Sequence, residues 1–210
     1  SISLRGTGAG HTAVLWNGLN INSATLGESD FVNIPLFAND EVGLQMGSSA
    51  SLFGSEAVGG AILLSGMPQK SIYGQKLHFR QDIGSFGRNF TALKFYHHQE
   101  KISIRASIYR FSLKNDFNIP ALSGTIQNTT PINYLGATQD IQYQISKKQQ
   151  INFHSWYNSN YRILAGNSNL LDNNLRLMTS WKNNLSTNTS VETKIAYTND
   201  FLLYNNQEKT

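Results

Sequence analysis

Ile102-Ser103-Ile104-Arg105-Ala106-Ser107-Ile108 is the stretch on which the fold turns. Apolar and polar residues alternate there without a break, and a strand sends successive side chains to opposite faces. The segment reads as a β-strand with one oily face and one polar face. The same grammar runs from about Gln75 onward. Leu77, Phe79 and Ile83 oppose His78, Arg80 and Asp82. Leu135, Ala137, Ile141, Tyr143 and Ile145 oppose Gly136, Thr138, Asp140, Gln142 and Gln144. Ile151, Phe153 and Tyr157 oppose Asn152, His154, Trp156 and Asn158. Leu175, Leu177 and Trp181 oppose Arg176, Ser180 and Lys182, and Val191, Ile195 and Tyr197 oppose Glu192, Lys194 and Thr198. Residues 89–98 form a weaker strand of the same kind.

Two settings accept such strands: a soluble sheet over a core, or a barrel with lipid outside and water inside. Segments of about ten residues match the tilted length that crosses a bilayer, whereas soluble strands average about 5–6 residues. The connections separate the settings further. Residues 98–101, 146–149 and 186–188 read as tight turns, and 114–133 and 160–173 as long loops. Tight turns therefore gather on one rim and long loops on the other, the layout of an outer-membrane barrel. Only 84–87 is short where a long loop is due. Phe111, Tyr134, Trp156, Tyr161, Trp181 and Tyr204 lie near strand ends and are candidates for interfacial aromatic girdles.

Composition agrees. The 210 residues hold 17 basic and 13 acidic side chains, for a net charge of +4. No dense basic stripe points to nucleic acid. Charged residues make up 14%, against roughly 25% in ordinary soluble domains. Asn, Gln, Ser and Thr supply the polarity instead, which suits a wet lumen. The absence of cysteine excludes a disulfide framework, a thiolate metal site and a Cys nucleophile. No apolar run approaches the roughly 18 residues of a spanning helix. The chain starts and stops in mid-pattern, without a visible signal peptide, and reads as an internal piece of a longer protein.

Residues 1–66 follow a different grammar, rich in glycine and small residues. Residues 1–5 alternate as a strand. Thr12–Trp16 is a short buried strand that stops at the turn dipeptide Asn17-Gly18. Residues 41–46 and 61–64 are two more strands, and 48–58 has room for one helical turn. The expected organisation is a small mixed α/β domain over 1–66 and barrel strands over 67–210.

The motifs in this first part are specific. Ser3-Leu4-Arg5-Gly6-Thr7 is followed by Ala13-Val14-Leu15-Trp16-Asn17-Gly18. Glu41-Val42 leads into Gly47-Ser48-Ser49-Ala50-Ser51-Leu52-Phe53-Gly54-Ser55-Glu56-Ala57-Val58-Gly59-Gly60-Ala61-Ile62. In order and spacing this resembles the plug of TonB-dependent outer-membrane receptors, with Asn17 where the family usually has Asp and Phe53 where it usually has Tyr. The resemblance implies an all-β transmembrane barrel, here about seven antiparallel strands of a 22-stranded whole, with a mixed α/β plug. It implies Arg5, Gly6, Gly54, Gly59 and Gly60 as plug framework. Glycine pairs permit close backbone approach, and isolated charges such as Arg5 and Glu41 suit ionic anchoring.

The resemblance further implies energy-coupled uptake of a scarce, bulky nutrient in the outer membrane of a Gram-negative bacterium. The implied partners are a TonB-type complex acting on an N-terminal box, outer-membrane lipid and the nutrient itself, with room for a surface lipoprotein and none for nucleic acid. Within the family, cobalamin receptors are nearest: they carry a stretch similar to Arg5-Gly6-Thr7-Gly8-Ala9-Gly10-His11 and a second apical loop similar to 19–30. That implies Thr7, Gly8, Ala9, His11, Asn20, Asn22, Ser23, Thr25, Glu28, Ser29 and Asp30 as substrate contacts, whose amides and hydroxyls suit a corrin's amide side chains. Ferric siderophores and haem are the alternative ligands, and a passive porin-like channel or a soluble β-rich binding module the alternative classes.

Other signals carry less. Gly6-Thr7-Gly8-Ala9-Gly10 lacks the spacing and βαβ context of a dinucleotide loop, and no G-x-S-x-G elbow occurs. His97 and His98 are neighbours in a strand and point to opposite faces, a poor metal pair. His78 and His154 read as polar lumen side chains. No catalytic constellation, metal site or cofactor is expected, and the chain is not read as an enzyme.

Overall fold

The computed structural model describes residues 7–23, 27–29, 31, 34, 36–46, 55–66, 73–121, 124–164 and 168–206. The expected strand at 1–5 lies outside them. The chain divides into two compact units, Ser1–Met67 and Pro68–Thr210.

The first unit holds a four-stranded sheet. Strand β1 (Thr12–Trp16) is buried at every position. It turns at Asn17 and Gly18, whose φ angles of 48° and 87° are those of a type I′ hairpin, into β2 (Leu19–Asn20). Strand β3 is Glu41–Gln45 and β4 is Gly60–Ser65, giving the order β2-β1-β4-β3 with β1 and β4 parallel. A 3₁₀ turn over Ser55–Val58 precedes β4 and supplies the expected helical turn. Ala13, Leu15, Ala57 and Ala61 form the core, with Leu63 packed against it. Such small side chains let the 3₁₀ turn sit close on the sheet. Gly59 N–H donates to the His11 carbonyl at 2.8 Å, and Gly60 takes φ 147°, a conformation closed to most L residues.

The second unit holds a seven-stranded antiparallel sheet. Its strands are β5 (Gly74–Gly84), β6 (Arg88–Gln99), β7 (Ile102–Leu113), β10 (Ile132–Gln144), β11 (Gln149–Ile163), β12 (Asn169–Asn184) and β13 (Ser190–Asn205). They neighbour one another in chain order. Between β7 and β10 the chain forms a separate hairpin, β8 (Asp116–Ala121) with β9 (Gly124–Thr129). Among the described residues no helix is long and apolar enough to cross a membrane.

The polarity of this sheet is inverted relative to a water-soluble one. Its shielded face carries Ser103, Arg105, Ser107, Thr138, Asp140, Asn158, Asn160 and Arg176, all buried, and Arg105 is only 1% exposed. Its other face displays Leu77, Phe79, Ile108, Leu135, Tyr157, Ile195 and Tyr197. Charged groups, Arg110 apart, go to the polar side and large apolar groups stand in the open. Water would reverse this arrangement and lipid requires it. The strands are an all-β transmembrane wall of antiparallel strands, as the alternation indicates.

Two details differ from the sequence reading. Residues 160–173 are not one long loop: β11 runs to Ile163 and β12 starts at Asn169, with Asn160 paired to Asp172 and Tyr161 to Leu171. The asparagines there resemble loop composition, yet Asn160 is buried on the polar face. Strands of 15 and 16 residues overshoot the roughly 9–11 needed to cross a bilayer. The aromatic girdle also contracts. Tyr161 and Trp181 stand exposed on the apolar face, but Trp156 is 1% exposed on the polar face. Phe111 stacks on Tyr134 with centroids 4.7 Å apart, and register places that pair, like Tyr204, on the polar side. Alternation assigns the face, and it outranks position near a strand end.

Candidate functional site

In the first unit one side chain, Asn22, ties the second candidate loop to β1. Asn22 Oδ1 accepts from Val14 N–H at 3.2 Å and from the Ser29 hydroxyl at 2.9 Å. Its Nδ2 donates to the Thr12 carbonyl at 3.1 Å and to the Gly27 carbonyl at 3.3 Å. A carboxamide has two donor hydrogens and two main acceptor directions, so these four bonds engage it fully. The side chain ties β1 to the 23–29 segment. That segment closes on itself through Ser23 N–H to the Glu28 carbonyl (3.0 Å) and Gly27 N–H to the Ser23 carbonyl (2.8 Å). Asn20 Oδ1 accepts from Asn22 N–H at 2.9 Å, an Asx turn. A methyl group placed on Gly10 would lie 3.7 Å from the Gly27 carbonyl, so the stretch before β1 runs against the second loop.

The sequence-predicted contacts thus separate by exposure. Gly8, His11 and Asn20 are exposed, and Thr7, Asn22, Ser23 and Glu28 are half-buried. Ser29 is buried, its hydroxyl also 3.3 Å from the Ile21 carbonyl. Thr25 and Asp30, and the framework residues Arg5, Gly6 and Gly54, lie outside the described residues, as does the side chain of Ala9. Asn22 and Ser29 brace the second loop, and Gly8, His11 and Asn20 are the exposed candidates.

Asn22→Ala is therefore expected to act on loop order rather than as a lost surface contact. It leaves Val14 N–H and the Thr12 carbonyl without their side-chain partner, at about 2 kcal/mol. Limited proteolysis should cut the 20–30 loop faster in this variant than in Asn20→Ala, which loses the local bond to Asn22 N–H.

The second unit carries a polar network that sequence spacing did not single out. Arg105 and Asp140 form a buried ion pair, and Asp140 Oδ1 lies 2.6 Å from His154 Nδ1. Ser107 and Thr138 share a hydrogen bond at 2.6 Å. Gln142 Nε2 donates to Asn152 Oδ1 at 3.2 Å, and Asn152 Nδ2 to Ser180 Oγ at 2.9 Å. Trp156 Nε1–H donates to the Tyr109 hydroxyl at 3.0 Å, and the Arg176 guanidinium lies 5.1 Å from the Trp156 ring centroid. These bonds run across strands, so each group needed partners from several strands that only the register identifies. Among the described residues no group of His, Cys, Asp or Glu could hold a metal ion.

Comparison with known proteins adds to this geometry. Residues 1–61 match the family model described as the TonB-dependent receptor plug domain. The vitamin B12 transporter BtuB of Vibrio vulnificus is 44% identical over 68 residues, which is 32% of this chain and 11% of that protein. Its counterpart in Photobacterium profundum is 46% identical over 61 residues, 29% of this chain and 10% of that protein. Among solved structures, the ferric enterobactin receptor PfeA of Pseudomonas aeruginosa aligns over 95% of this chain and 34% of its own, with TM-score 0.75 and 12% identity. The copper transporter OprC aligns over 93% of this chain and 30% of its own, with TM-score 0.76 and 15% identity. The chain thus spans about a tenth of those curated relatives in matched sequence and about a third of those structures. The first unit thus matches the TonB-dependent receptor plug domain, and the antiparallel strands of the second share the fold of those receptor structures.

Proposed function

We propose that residues 1–66 are a plug segment and 67–210 the first wall strands of a receptor for energy-coupled nutrient uptake, and that the nutrient is cobalamin or a ligand built like it. The energy of the proton gradient reaches the receptor through a TonB-type complex. The observation that carries the substrate reading is the 44% identity with a vitamin B12 transporter over 68 residues. The likeness to siderophore and copper receptors, at 12–15% identity, reaches the fold alone. The exposed Gly8, His11 and Asn20 offer backbone, imidazole and amide groups, which suit a large ligand fringed with neutral amides better than a compact anion.

The test is equilibrium binding to the intact receptor in detergent, comparing cyanocobalamin with haem and a ferric siderophore. Cyanocobalamin is expected to bind at least about 100-fold more tightly than either, or about 2.7 kcal/mol. Asn20→Ala should weaken it by about 1 kcal/mol, roughly five-fold. Preference for a ferric chelate would reject the substrate reading and turn the assignment to iron. Uptake in cells that persists after the proton gradient is collapsed would reject energy coupling and favour a passive channel.

A further inference from the structure

Every charged side chain on the seven wall strands but one lies on the polar face, by cross-strand register. The exception is Arg110. Strand β7 presents Ile102, Ile104, Ala106 and Ile108 on its apolar side, and the next residue on that side is Arg110, which is exposed and makes no ion pair among the described residues. An unpaired charge facing lipid is unfavourable in the middle of the membrane and tolerated only near its edge.

Register shows where that edge lies. One rung of the apolar face reads Phe79, Leu93, Ile108, Ala137 across β5, β6, β7 and β10. The next rung reads Gln81, Thr91, Arg110, Leu135, and the one after it Ile83, Asn89, Ser112, Asn133. Over these two rungs the surface changes from wholly apolar to mostly amide, hydroxyl and guanidinium, with Leu135 and Ile83 the apolar members that remain. The polar side chains are already organised: Thr91 Oγ–H donates to Gln81 Oε1 at 2.7 Å, and Gln81 Nε2 donates to Asn89 Oδ1 at 2.8 Å. From Ile102, next to the tight turn at 100–101, to Arg110 is eight residues, about 27 Å along the strand. At a tilt of 35–45° that is roughly 20 Å of height, close to the outer limit of an apolar band about 25 Å tall. The tight turn marks the inner rim, so this collar sits at the outer leaflet.

We propose that the Gln81–Asn89–Thr91–Arg110 collar is a binding site for the phosphorylated sugar headgroup of an outer-leaflet glycolipid. Arg110 pairs with the phosphate, since a guanidinium matches a phosphate with two parallel hydrogen bonds. The neighbouring amides and hydroxyls suit sugar hydroxyls. The acyl chains continue onto Phe79, Leu93 and Ile108, so the site is continuous with the lipid-facing wall. The inference rests on the membrane-wall assignment and is independent of the nutrient.

The experiment uses the intact receptor in mild detergent, titrated with bisphosphoryl lipid A and with the same lipid after phosphatase treatment, and read by native mass spectrometry. Wild type should retain bisphosphoryl lipid A at least about five-fold better than the dephosphorylated form. Arg110→Gln should lose that preference, Arg110→Lys should keep most of it, and Lys148→Gln, in a tight turn on the opposite rim, should leave it unchanged. Heat-modifiable gel migration checks that each variant is folded. Equal retention of the two lipids by wild type overturns the proposal without reference to any variant. So does an Arg110→Gln protein that keeps the wild-type preference.

Discussion

Asp140→Ala should destabilise the wall by about 3–5 kcal/mol, because it strands a buried guanidinium. Arg105 and Asp140 side chains are 1% and 2% exposed, so water cannot replace the lost carboxylate. The same change removes the partner of His154 Nδ1 and leaves a cavity between β7, β10 and β11. The loss belongs to the orphaned charge more than to the pair. A double variant, Arg105→Met with Asp140→Leu, should recover most of the stability, since matched apolar groups avoid the desolvation penalty of a buried ion pair. Denaturant unfolding of the receptor in detergent, followed by tryptophan fluorescence, measures both. If Asp140→Ala unfolds at the parent midpoint, the pair is wetter than the structure shows.

Gly136→Ala is the second large effect, at about 3 kcal/mol. Gly136 faces Tyr109 across β7 and β10. A methyl group at Gly136 would lie 2.5 Å from Tyr109 Cζ and overlap the hydroxyl as well. Tyr109 is 4% exposed and its hydroxyl accepts from Trp156 Nε1–H, so the ring has no free direction in which to swing. The alanine must push the ring aside, an overpacking strain of about 1–3 kcal/mol, and break a hydrogen bond of about 1 kcal/mol. In a Tyr109→Ala background the same glycine change should cost almost nothing, because the two residues then no longer touch. Additive effects in that double-mutant cycle would refute the contact.

The strands of the wall are legible in the sequence because lipid leaves so few solutions. Ile102 to Ile108 can satisfy an apolar exterior and a polar interior only as a strand, and the structure places them so. What the sequence hides is pairing. Nothing in the spacing of Arg105, Asp140 and His154 reveals that they meet, since they come from three strands whose register is set by turns. The end of β11 was obscured for a related reason. Asn160 and Asn173 carry the composition of a loop, and only cross-strand bonding shows that they continue the wall. In the first unit, Asn17-Gly18 announces its hairpin through positive φ. Asn22 shows the same limit: a polar residue in a candidate loop suggests a contact, and only the fold shows the four hydrogen bonds that make it a brace. Arg110 was legible in principle, as the one charge that breaks the apolar phase of its strand.

On β13 the odd-numbered face is expected to meet lipid and the even-numbered face is not. These 210 residues hold no cysteine, so in a cysteine-free background of the intact receptor single cysteines can be placed at Thr193, Ile195 and Tyr197, and at Lys194, Ala196 and Thr198. Register aligns Ile195 with Thr179 and Ala196 with Met178, on opposite faces of the wall. Each site is labelled with bimane in the intact receptor, reconstituted into vesicles of brominated lipid. The predicted result is strong quenching at 193, 195 and 197 and weak quenching at 194, 196 and 198. Quenching that fails to alternate, or that favours the even positions, would contradict the account.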